Sequence, residues 1–486
     1  MQKVKEKADF TQGKVFLKII WFVLPIVATN ILQMLYNAAD MMVVSLSSEP
    51  NAVGAVGVTG SFIHLIINVF IGFSVGANVV VAREIGAKNR ERTQKAVHTS
   101  LLMAVIFGIS GMIIGLLIAR PVLQYMGTMG SLLTLATTYT RIYFAGVPFL
   151  ALTNYLICIF RAKGDAKTPL IVLAITGILN VLLNIFFVLA VGLSVEGVAL
   201  ATAIANAASV VLLMIKLHKD QDDTQFSWEK LKIDKEAFVD IVKNGLPAGI
   251  QGALFSLSNV IIQSSIVSVN NRLSPVDRLY DPIVSGSAAS ANIEGFVYTA
   301  MNAVYQGTVT VASQNTGANK PQRIKRIMYS CFGIVTIIGV VMSCFIIILK
   351  EPLLALYGIQ RGAEGSLEAL AMYAADTRFL YIVAPYFLCG VMEVASGILR
   401  GLGKSFTSML ISLIGACLLR VVWIATAFAA VPTLEMIFVS YPITWIVTTL
   451  TAFIVIQVLL RKILKNHTPD AHGAQGEEEN TAAYAD

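Results

Sequence analysis

The clearest shortage in this sequence of 486 residues is charge, since only 13% of the residues are Asp, Glu, Lys or Arg. A soluble globular protein has about 25% charged and about 45–50% apolar residues, whereas 56% of this chain is apolar. A chain of this length would form about three soluble domains, but so few charged residues could not cover their surfaces. The composition therefore excludes a soluble protein and predicts a chain that lies mostly in a lipid bilayer.

Paired thiols and enzymatic motifs are also missing. The five cysteines all lie inside apolar runs and none forms a C-x-x-C pair, which excludes a disulfide framework and a cysteine-ligated metal site. The chain has no H-E-x-x-H, no G-x-S-x-G and no cluster of His and Asp, so we do not expect an enzyme. The stretch 397–405 has five residues between its glycines where a P-loop needs four, so ATP-driven transport is not expected either.

Long apolar runs are what the sequence does have. A run of about 18 or more apolar residues is long enough to cross a bilayer as a helix. The first run is longer than the core of a signal peptide and therefore predicts a retained helix. The chain has twelve such segments, at 16–46, 53–82, 98–119, 139–160, 169–191, 195–217, 245–270, 283–313, 327–349, 377–399, 407–430 and 434–460. They predict an all-α membrane protein with twelve transmembrane helices.

Basic residues divide the connecting segments into two alternating sets. Most of the 36 Lys and Arg residues lie in the two termini and in every second connection. Because cytoplasmic loops of membrane proteins carry the excess of Lys and Arg, both termini are expected in the cytoplasm and the protein in the cell membrane. This bias explains the net charge of +7, so the expected partner is the lipid bilayer and not a nucleic acid. The acidic tail 467–486 is expected to be disordered.

The two halves of the chain resemble each other in four landmarks that recur in the same order. The pairs are Leu24-Pro25 and Leu246-Pro247, Gly76-x9-Gly86 and Gly307-x9-Gly317, Thr140-Arg141 and Thr377-Arg378, and Arg161-x-x-Gly164 and Arg400-x-x-Gly403. This order indicates an internal duplication, because chance would not repeat all four landmarks.

The duplication predicts two six-helix lobes, at 1–218 and 245–466, joined by a cytoplasmic linker at 219–244 and followed by the tail at 467–486. Six helices are an even number, so both halves enter the membrane in the same direction. A pseudo-two-fold axis along the membrane normal then relates the lobes, with a substrate cavity between them. This is the architecture of a secondary transporter.

The landmarks resemble those of the multidrug and toxic compound extrusion (MATE) family over about residues 10–465. The resemblance is carried by LPIVATNILQMLYNAADMMVVS, GANVVVAREIGAKN, FRAKGDAKTP, GVALATAIANA, VASQNTGANK and LRGLGKS. It implies a V-shaped protein that exports organic cations and drugs in exchange for inward-moving H+ or Na+. One feature departs from the family, whose fifth helix often has Asn followed four residues later by Asp-Pro. Here Asn180 is followed by Asn184 and Ile185.

Carboxylates inside apolar runs are the default candidates for ion coupling, because burying one in a membrane is costly. Asp40 is such a residue, and Tyr36 and Asn37 precede it on the same side of the first helix. Asn180 and Asn184 share a face of the fifth helix by the same spacing. We expect a cation-coupling site at Asp40, Asn180, Asn184 and Thr202, and the resemblance places Thr202 and Asn154 near it. Four oxygen ligands would suit Na+, whereas one carboxylate with neutral partners would suit H+, and an Asp that only holds helices together is the structural alternative.

Glu294 and Glu393 are the other two carboxylates inside apolar runs. Together with Tyr36, Asn37 and Asn154 they are predicted to line the substrate cavity and to attract a cation, unless each is only bonded to a neighbouring helix. Arg420 is the basic residue placed well inside an apolar run, and a buried guanidinium requires a partner, for which Glu393 is one candidate.

Pro25 interrupts the first helix and is predicted to act as a hinge, because proline frees a backbone carbonyl. A plain kink without a hinge function is the alternative.

These observations predict a secondary active multidrug antiporter that exports small cationic or lipophilic drugs in exchange for H+ or Na+ by alternating access. We expect a monomer that needs no cofactor besides the coupling ion. The alternative is a lipid-linked oligosaccharide flippase of the same superfamily. The cavities of such flippases tend to be lined by basic residues that meet pyrophosphate, whereas the acids counted here favour cations.

Overall fold

A computed structural model of the chain describes residues 9–47, 49, 51–274 and 280–465. Throughout these ranges the chain forms helices joined by turns and short loops, and no strand is present in them. The helices are α1 (Val15–Ser45), α2 (Ala52–Gly86), α3 (Arg90–Tyr125), α4 (Gly130–Ala145), α5 (Val147–Ala162), α6 (Lys167–Ala190), α7 (Val195–Lys219), α8 (Lys235–Leu273), α9 (Pro282–Gly317), α10 (Pro321–Ile348), α11 (Lys350–Ala355), α12 (Leu367–Val383), α13 (Phe387–Gly401), α14 (Ser405–Phe428) and α15 (Leu434–Lys465). The predicted tail, 467–486, lies outside the described residues.

Most of these helices have the length and composition of membrane spans. Nine helices of the described chain pass this test alone, and eleven spans result if each of two bent pairs counts as one. The prediction of an all-α membrane protein is therefore confirmed. Helix α9 corresponds to the remaining predicted segment; its 36 residues are long enough to cross a bilayer, but it is richer in polar residues.

The internal repeat recurs in the backbone. The pair α4–α5 bends by 48° and the pair α12–α13 by 43°, in each case close to a proline, Pro148 in the first half and Pro385 in the second. Lys88 and Asn319, at matching positions after α2 and α9, both have φ of 56°. Gly164 and Gly403, which follow the repeated arginines, have φ of 81° and 71°. Each half of the chain thus builds the same bent span and the same tight helix ends.

The repeated glycines close one end of the helix bundle. This end, where α2, α5, α7, α9 and α13 finish, carries the basic connections, and we call it the basic end. A Cβ atom added to Gly86 would lie 1.9 Å from the carbonyl oxygen of Gln314, and one added to Gly317 would lie 1.8 Å from the carbonyl oxygen of Arg83. Only glycine permits such an approach, so α2 and α9 touch backbone to backbone.

Polar bonds between the two halves of the chain reinforce this closure. Arg83 donates to Asp240 at 2.6 Å, and the Gln314 side chain donates to the Ala162 carbonyl at 2.7 Å. These bonds join the ends of α2, α5, α8 and α9, so the basic end is shut in this conformation.

The beginning of the chain packs against the C-terminal half. Phe10, Ile19 and Phe22 belong to one hydrophobic core with residues of α9, α10 and α13. Arg323, at the start of α10, donates to the Phe10 carbonyl at 3.1 Å. The first turns of α1 are therefore held by helices that lie some 300 residues further along the chain.

Candidate functional site

A cavity of about 800 Å³ lies between α1, α2, α5, α8, α9 and α12–α15. Three of the predicted cavity residues, Asn154, Glu294 and Glu393, are on its wall. Tyr36 and Asn37 are not among the described residues that line it. The cavity is formed by both halves of the chain, as expected for a site between duplicated bundles.

The four residues predicted to bind the coupling cation come together beside this cavity. The Asn184 amide donates to one carboxylate oxygen of Asp40 at 2.5 Å, and the Thr202 hydroxyl lies 3.3 Å from the other oxygen. The Asn180 amide donates to the Thr202 hydroxyl at 3.3 Å. Helices α1, α6 and α7 thus each contribute to one polar cluster, with the i, i+4 spacing of Asn180 and Asn184 placing both on the same face of α6.

This cluster has the chemistry to hold a small cation. Its carboxylate is half-buried and both asparagines are buried. The side-chain amide oxygen of Asn184, Oδ1, is buried without a hydrogen-bond partner, so it is an acceptor still free to bind. Carboxylate, amide and hydroxyl oxygens are hard ligands of the kind that Na+ and other hard cations take, and a carboxylate with neutral partners also accepts a proton.

Tyr36 and Asn154 make contacts within their own half of the chain. The Tyr36 hydroxyl donates to the Leu173 carbonyl at 3.0 Å, and its ring packs on Gly177, where an added Cβ would lie 1.7 Å from a ring carbon. Tyr36 therefore fastens α1 to α6 just before Asp40. Asn154 donates to the Leu150 carbonyl of its own helix at 2.9 Å and lies on the cavity wall.

Glu294 forms a buried ion pair with Arg378, which the sequence did not predict. Arg378 donates to the two carboxylate oxygens of Glu294 at 2.9 Å and 2.6 Å, and both side chains are buried. The pair joins α9 to α12 across 84 residues of sequence. The available signal was the repeated Thr-Arg landmark, which places an arginine in the span beside Glu294. Its counterpart in the first half, Arg141, is exposed.

Glu393 is the acid of the cavity that remains without an ion pair in the described chain. It lies on the wall, and its expected partner, Arg420, instead donates to Thr444 at 3.0 Å and stacks on the Tyr441 ring at 3.9 Å. Glu393 can therefore meet a bound molecule, whereas Glu294 is neutralised by its arginine.

The cavity carries more positive charge than the sequence analysis expected. From the sequence, Arg420 is the basic residue expected well inside an apolar run, but the wall holds four arginines, namely Arg161, Arg378, Arg400 and Arg420, against Glu294 and Glu393. Arg161 and Arg400 lie at the ends of apolar runs, where sequence alone assigns them to the loops. The argument that internal acids dominate is therefore wrong for this cavity.

Pro25 lies inside α1, which continues through it as a helix. Because proline has no N–H, the Trp21 carbonyl loses its helical donor there. The Thr29 hydroxyl donates to the Pro25 carbonyl at 2.8 Å. This is a locally weakened point of α1, fifteen residues before Asp40, and its function as a hinge stays a prediction.

Comparisons with known proteins match most of these elements. The MatE family model matches residues 25–186 and 275–426, which include Asp40, Asn184 and the cavity arginines. YoeA of Bacillus subtilis, named a probable multidrug resistance protein, is 27% identical over 401 residues, 81% of this chain and 82% of that protein. The multidrug export protein MepA of Staphylococcus aureus is 21% identical over 420 residues, 86% and 89% of the two chains.

A solved structure with the same fold is that of a MOP superfamily transporter from Pyrococcus furiosus, described with a binding pocket of reverse polarity. It superposes with a TM-score of 0.85 at 20% sequence identity and covers 95% of this chain and 99% of its own. The arrangement of the helices is thus shared over nearly the whole length of both chains.

Proposed function

Because the chain belongs to the MatE family, we propose that it is a secondary active multidrug exporter that works by alternating access in the cell membrane. The relatives named as multidrug export and resistance proteins support drugs as its substrates. In this proposal the basic end faces the cytoplasm, as the positive-inside bias predicts. Lobes 1–218 and 245–466 move relative to each other and expose the cavity to one side at a time.

The observation that carries this proposal is the separation of two polar sites in one bundle. The cavity is shared by both halves of the chain, whereas the Asp40 cluster is built by α1, α6 and α7 of the N-terminal half alone. A substrate and a coupling ion therefore have different places to bind. Helix α1 connects them, because it carries Asp40 and also contributes Asn30 and Gln33 to the cavity wall.

The coupling ion, H+ or Na+, binds at Asp40 in this proposal. One charge that crosses the full membrane potential contributes about 2.3 kcal/mol per 100 mV. Because about 1.4 kcal/mol changes an equilibrium constant tenfold, this energy shifts a two-state equilibrium roughly fifty-fold. Ion binding at Asp40 would repack the part of α1 that follows Pro25 against α6 and α7, with Pro25 as the flexible point. This movement would favour one orientation of the lobes.

The drug site is the cavity, where Glu393 is the acid available to a cationic drug. Apolar and aromatic side chains such as Phe255, Tyr298 and Trp445 supply the surface that lipophilic molecules need. The charge of Glu294 is neutralised by Arg378, and we propose that Glu294 positions α12 rather than binds a drug.

The four cavity arginines favour a second candidate, the transport of a lipid-linked anion such as an oligosaccharide pyrophosphate. Arginine forms bidentate hydrogen bonds with phosphate, and the cavity wall carries two more arginines than acids. This candidate differs from drug export in substrate but not in the alternating movement.

Ion-driven transport is tested by ethidium efflux from proteoliposomes in which a pH gradient and a Na+ gradient are imposed separately. We expect one of the two gradients to drive export against the ethidium gradient, because Asp40 with its oxygen neighbours binds one of these ions. Vesicles that lack the protein are the control. If neither gradient drives ethidium or an anionic dye, the secondary transport proposal fails.

Replacing Asn184 by Asp is expected to strengthen the dependence on Na+. Two carboxylates at α1 and α6 would place more negative charge around a small cation that binds to hard oxygen ligands, and Asn184 already contacts Asp40 at 2.5 Å. The measurement is the Na+ concentration that gives half-maximal export. Asn206→Asp on α7, one turn from Thr202, is the matched control; an unchanged Na+ response in Asn184→Asp would remove α6 from the ion site.

A further inference from the structure

Two repeat-related arginines reach the same level of α9 from the two halves of the chain. Arg161 ends α5 and Arg400 ends α13, each three residues before a glycine with positive φ. The Arg161 guanidinium donates to the side chain of Gln306, and that of Arg400 donates to the hydroxyl of Tyr305. Because these partners are neighbours in sequence, both arginine heads meet α9 at the basic end of the cavity.

The partners of these arginines are neutral. Arg161 is 9% exposed and Arg400 is 5% exposed. Besides Tyr305, Arg400 donates to the Gln251 amide oxygen at 2.7 Å. No carboxylate of the described chain lies within ion-pairing distance of either head, and the Nε group of Arg400 is buried without any partner. Glu393, seven residues before Arg400, acts on it only through its charge at longer range. A buried guanidinium without a directly bonded carboxylate is costly to bury, so both heads need an explanation.

Arg378 supplies the comparison within the same cavity. It is as buried as Arg161, and Glu294 neutralises it through two hydrogen bonds. The fold is therefore able to pair an arginine on this wall, yet it leaves Arg161 and Arg400 with amide and hydroxyl partners only.

Helix-end electrostatics and ring stacking do not account for this arrangement. A cation near a helix C-terminus gains about 0.3–1 kcal/mol, but an exposed arginine would gain it without being buried. The Arg400 guanidinium lies 5.4 Å from the centre of the Tyr305 ring, and such a contact contributes about 0.5–2 kcal/mol. Both effects are smaller than the cost of burying the charge.

A third arginine adds to the same field. Arg420 is 3% exposed and its Nε group also has no partner. It lies in a single α-helical turn between two π-helical segments of α14, Leu413–Leu418 and Ile424–Phe428, and such segments are frequent at functional sites. With the Glu294–Arg378 pair neutral, three arginines face one acid, Glu393, across the cavity.

We propose that Arg161 and Arg400 form an anion-binding subsite at the basic end of the cavity, so that the cavity takes, besides cationic drugs that meet Glu393, molecules with a phosphate, phosphonate, sulfonate or carboxylate group that binds to the two arginines. The planar guanidinium presents paired N–H groups that match these anions. Gln251, Tyr305 and Gln306 hold the two heads at the wall, and Arg420 attracts the anion into the cavity. The inference rests on the proposed function, since it names the substrate class of the same cavity.

Anion binding is measured on the purified full-length protein in detergent by fluorescence anisotropy of carboxyfluorescein, with ethidium as the cationic comparison. We expect saturable binding of carboxyfluorescein by the wild type and at least about tenfold weaker binding by Arg161→Gln and Arg400→Gln, because each variant lacks one charged group that donates hydrogen bonds to the anion. We expect a smaller change in affinity for ethidium, which has no anionic group, than for carboxyfluorescein in both variants.

Arg326→Gln is the matched control, because Arg326 is exposed on α10 near the same end of the bundle and its loss changes the net charge equally. Arg400→Lys keeps the charge without the planar fork and is expected to bind with intermediate affinity. Gel filtration and thermal unfolding of each variant distinguish loss of the subsite from loss of the fold. If Arg400→Gln does not fold, the affinity of Arg400→Lys for carboxyfluorescein still tests the subsite.

Two competitors distinguish the source of the anion. Displacement of the dye by dioctanoyl phosphatidic acid but not by inorganic phosphate supports a lipid-borne anion, and displacement by both supports a free one. Equal carboxyfluorescein binding by the wild type, both Gln variants and Arg326→Gln would overturn the subsite, as would no binding by the wild type. Gradient-driven ethidium export that survives such a result would leave the proposed function intact, whereas anion binding without gradient-driven export of either dye would contradict the proposed function and not the subsite.

Discussion

Replacing Asp40 by Asn is expected to reduce ion-driven export to the level of empty vesicles while the protein stays folded. Asp40 is the carboxylate that Asn184 and Thr202 face, at 2.5 Å and 3.3 Å. Asn has nearly the same shape and keeps hydrogen bonds to both neighbours, but it neither takes up a proton nor offers a negative charge to Na+. Coupling should therefore be lost without loss of the cluster. The measurement is gradient-driven ethidium efflux at equal membrane abundance.

Asp376→Asn is the control for this substitution. Asp376, on α12, is a carboxylate paired with Lys350 at 2.5 Å, and its side chain is 37% exposed, so it lies outside the Asp40 cluster. Export by this variant should match the wild type. Normal export by Asp40→Asn would remove Asp40 from the coupling mechanism, and a misfolded Asp40→Asn would show itself as a loss of thermal stability and of dye binding.

Replacing Glu294 by Gln is expected to produce the largest loss of stability among the single changes considered. The bidentate contact with Arg378 is buried on both sides, and removing one partner of a buried ion pair costs about 3–5 kcal/mol, because the other charge stays buried and unpaired. Thermal unfolding in detergent should show a fall of several degrees. The double variant Glu294→Gln/Arg378→Gln should recover part of this loss, since neither side chain is then charged.

The same substitution at an exposed pair provides the matched control. Glu351 contacts Arg361 at 2.6 Å, and both side chains are more than half exposed, so Glu351→Gln should cost at most about 1 kcal/mol. A Glu294→Gln protein as stable as the wild type would show that water or another acceptor takes the place of the carboxylate beside Arg378. If the double variant is no more stable than Glu294→Gln, the packing of the Glu294 and Arg378 side chains also stabilises the contact between α9 and α12.

The helices and the side chains of the Asp40 cluster were predictable from the sequence because both depend on short-range patterns. Apolar runs define spans by length, and the i, i+4 spacing of Asn180 and Asn184 puts two amides on one face whatever the helix packs against. The repeated Thr-Arg landmarks likewise predicted matching spans in the two halves, and the bends of 48° and 43° lie in these two spans.

The cavity charges were not predictable, because a one-dimensional pattern does not show where a long side chain points. Arg161 and Arg400 stand at the ends of apolar runs, and hydropathy assigns such residues to loops, although both heads reach α9. Tyr36 shows the same limit in reverse. Its sequence spacing places it one turn before Asp40 on α1. Its hydroxyl, however, donates to the Leu173 carbonyl and does not face the cavity as predicted.

The packing of the first turns of α1 has a consequence for how the protein is made. A ribosome releases these residues first, but their partners in α9 and α10, including Arg323, follow only after roughly two thirds of the chain. Ile19 and Phe22 therefore contact lipid or temporary neighbours while the seven helices α2–α8 are made. A nascent chain that ends in the linker 219–244 would lack the contacts of α9 and α10 with the first turns of α1. The N-terminal half therefore needs the C-terminal half to complete its folding.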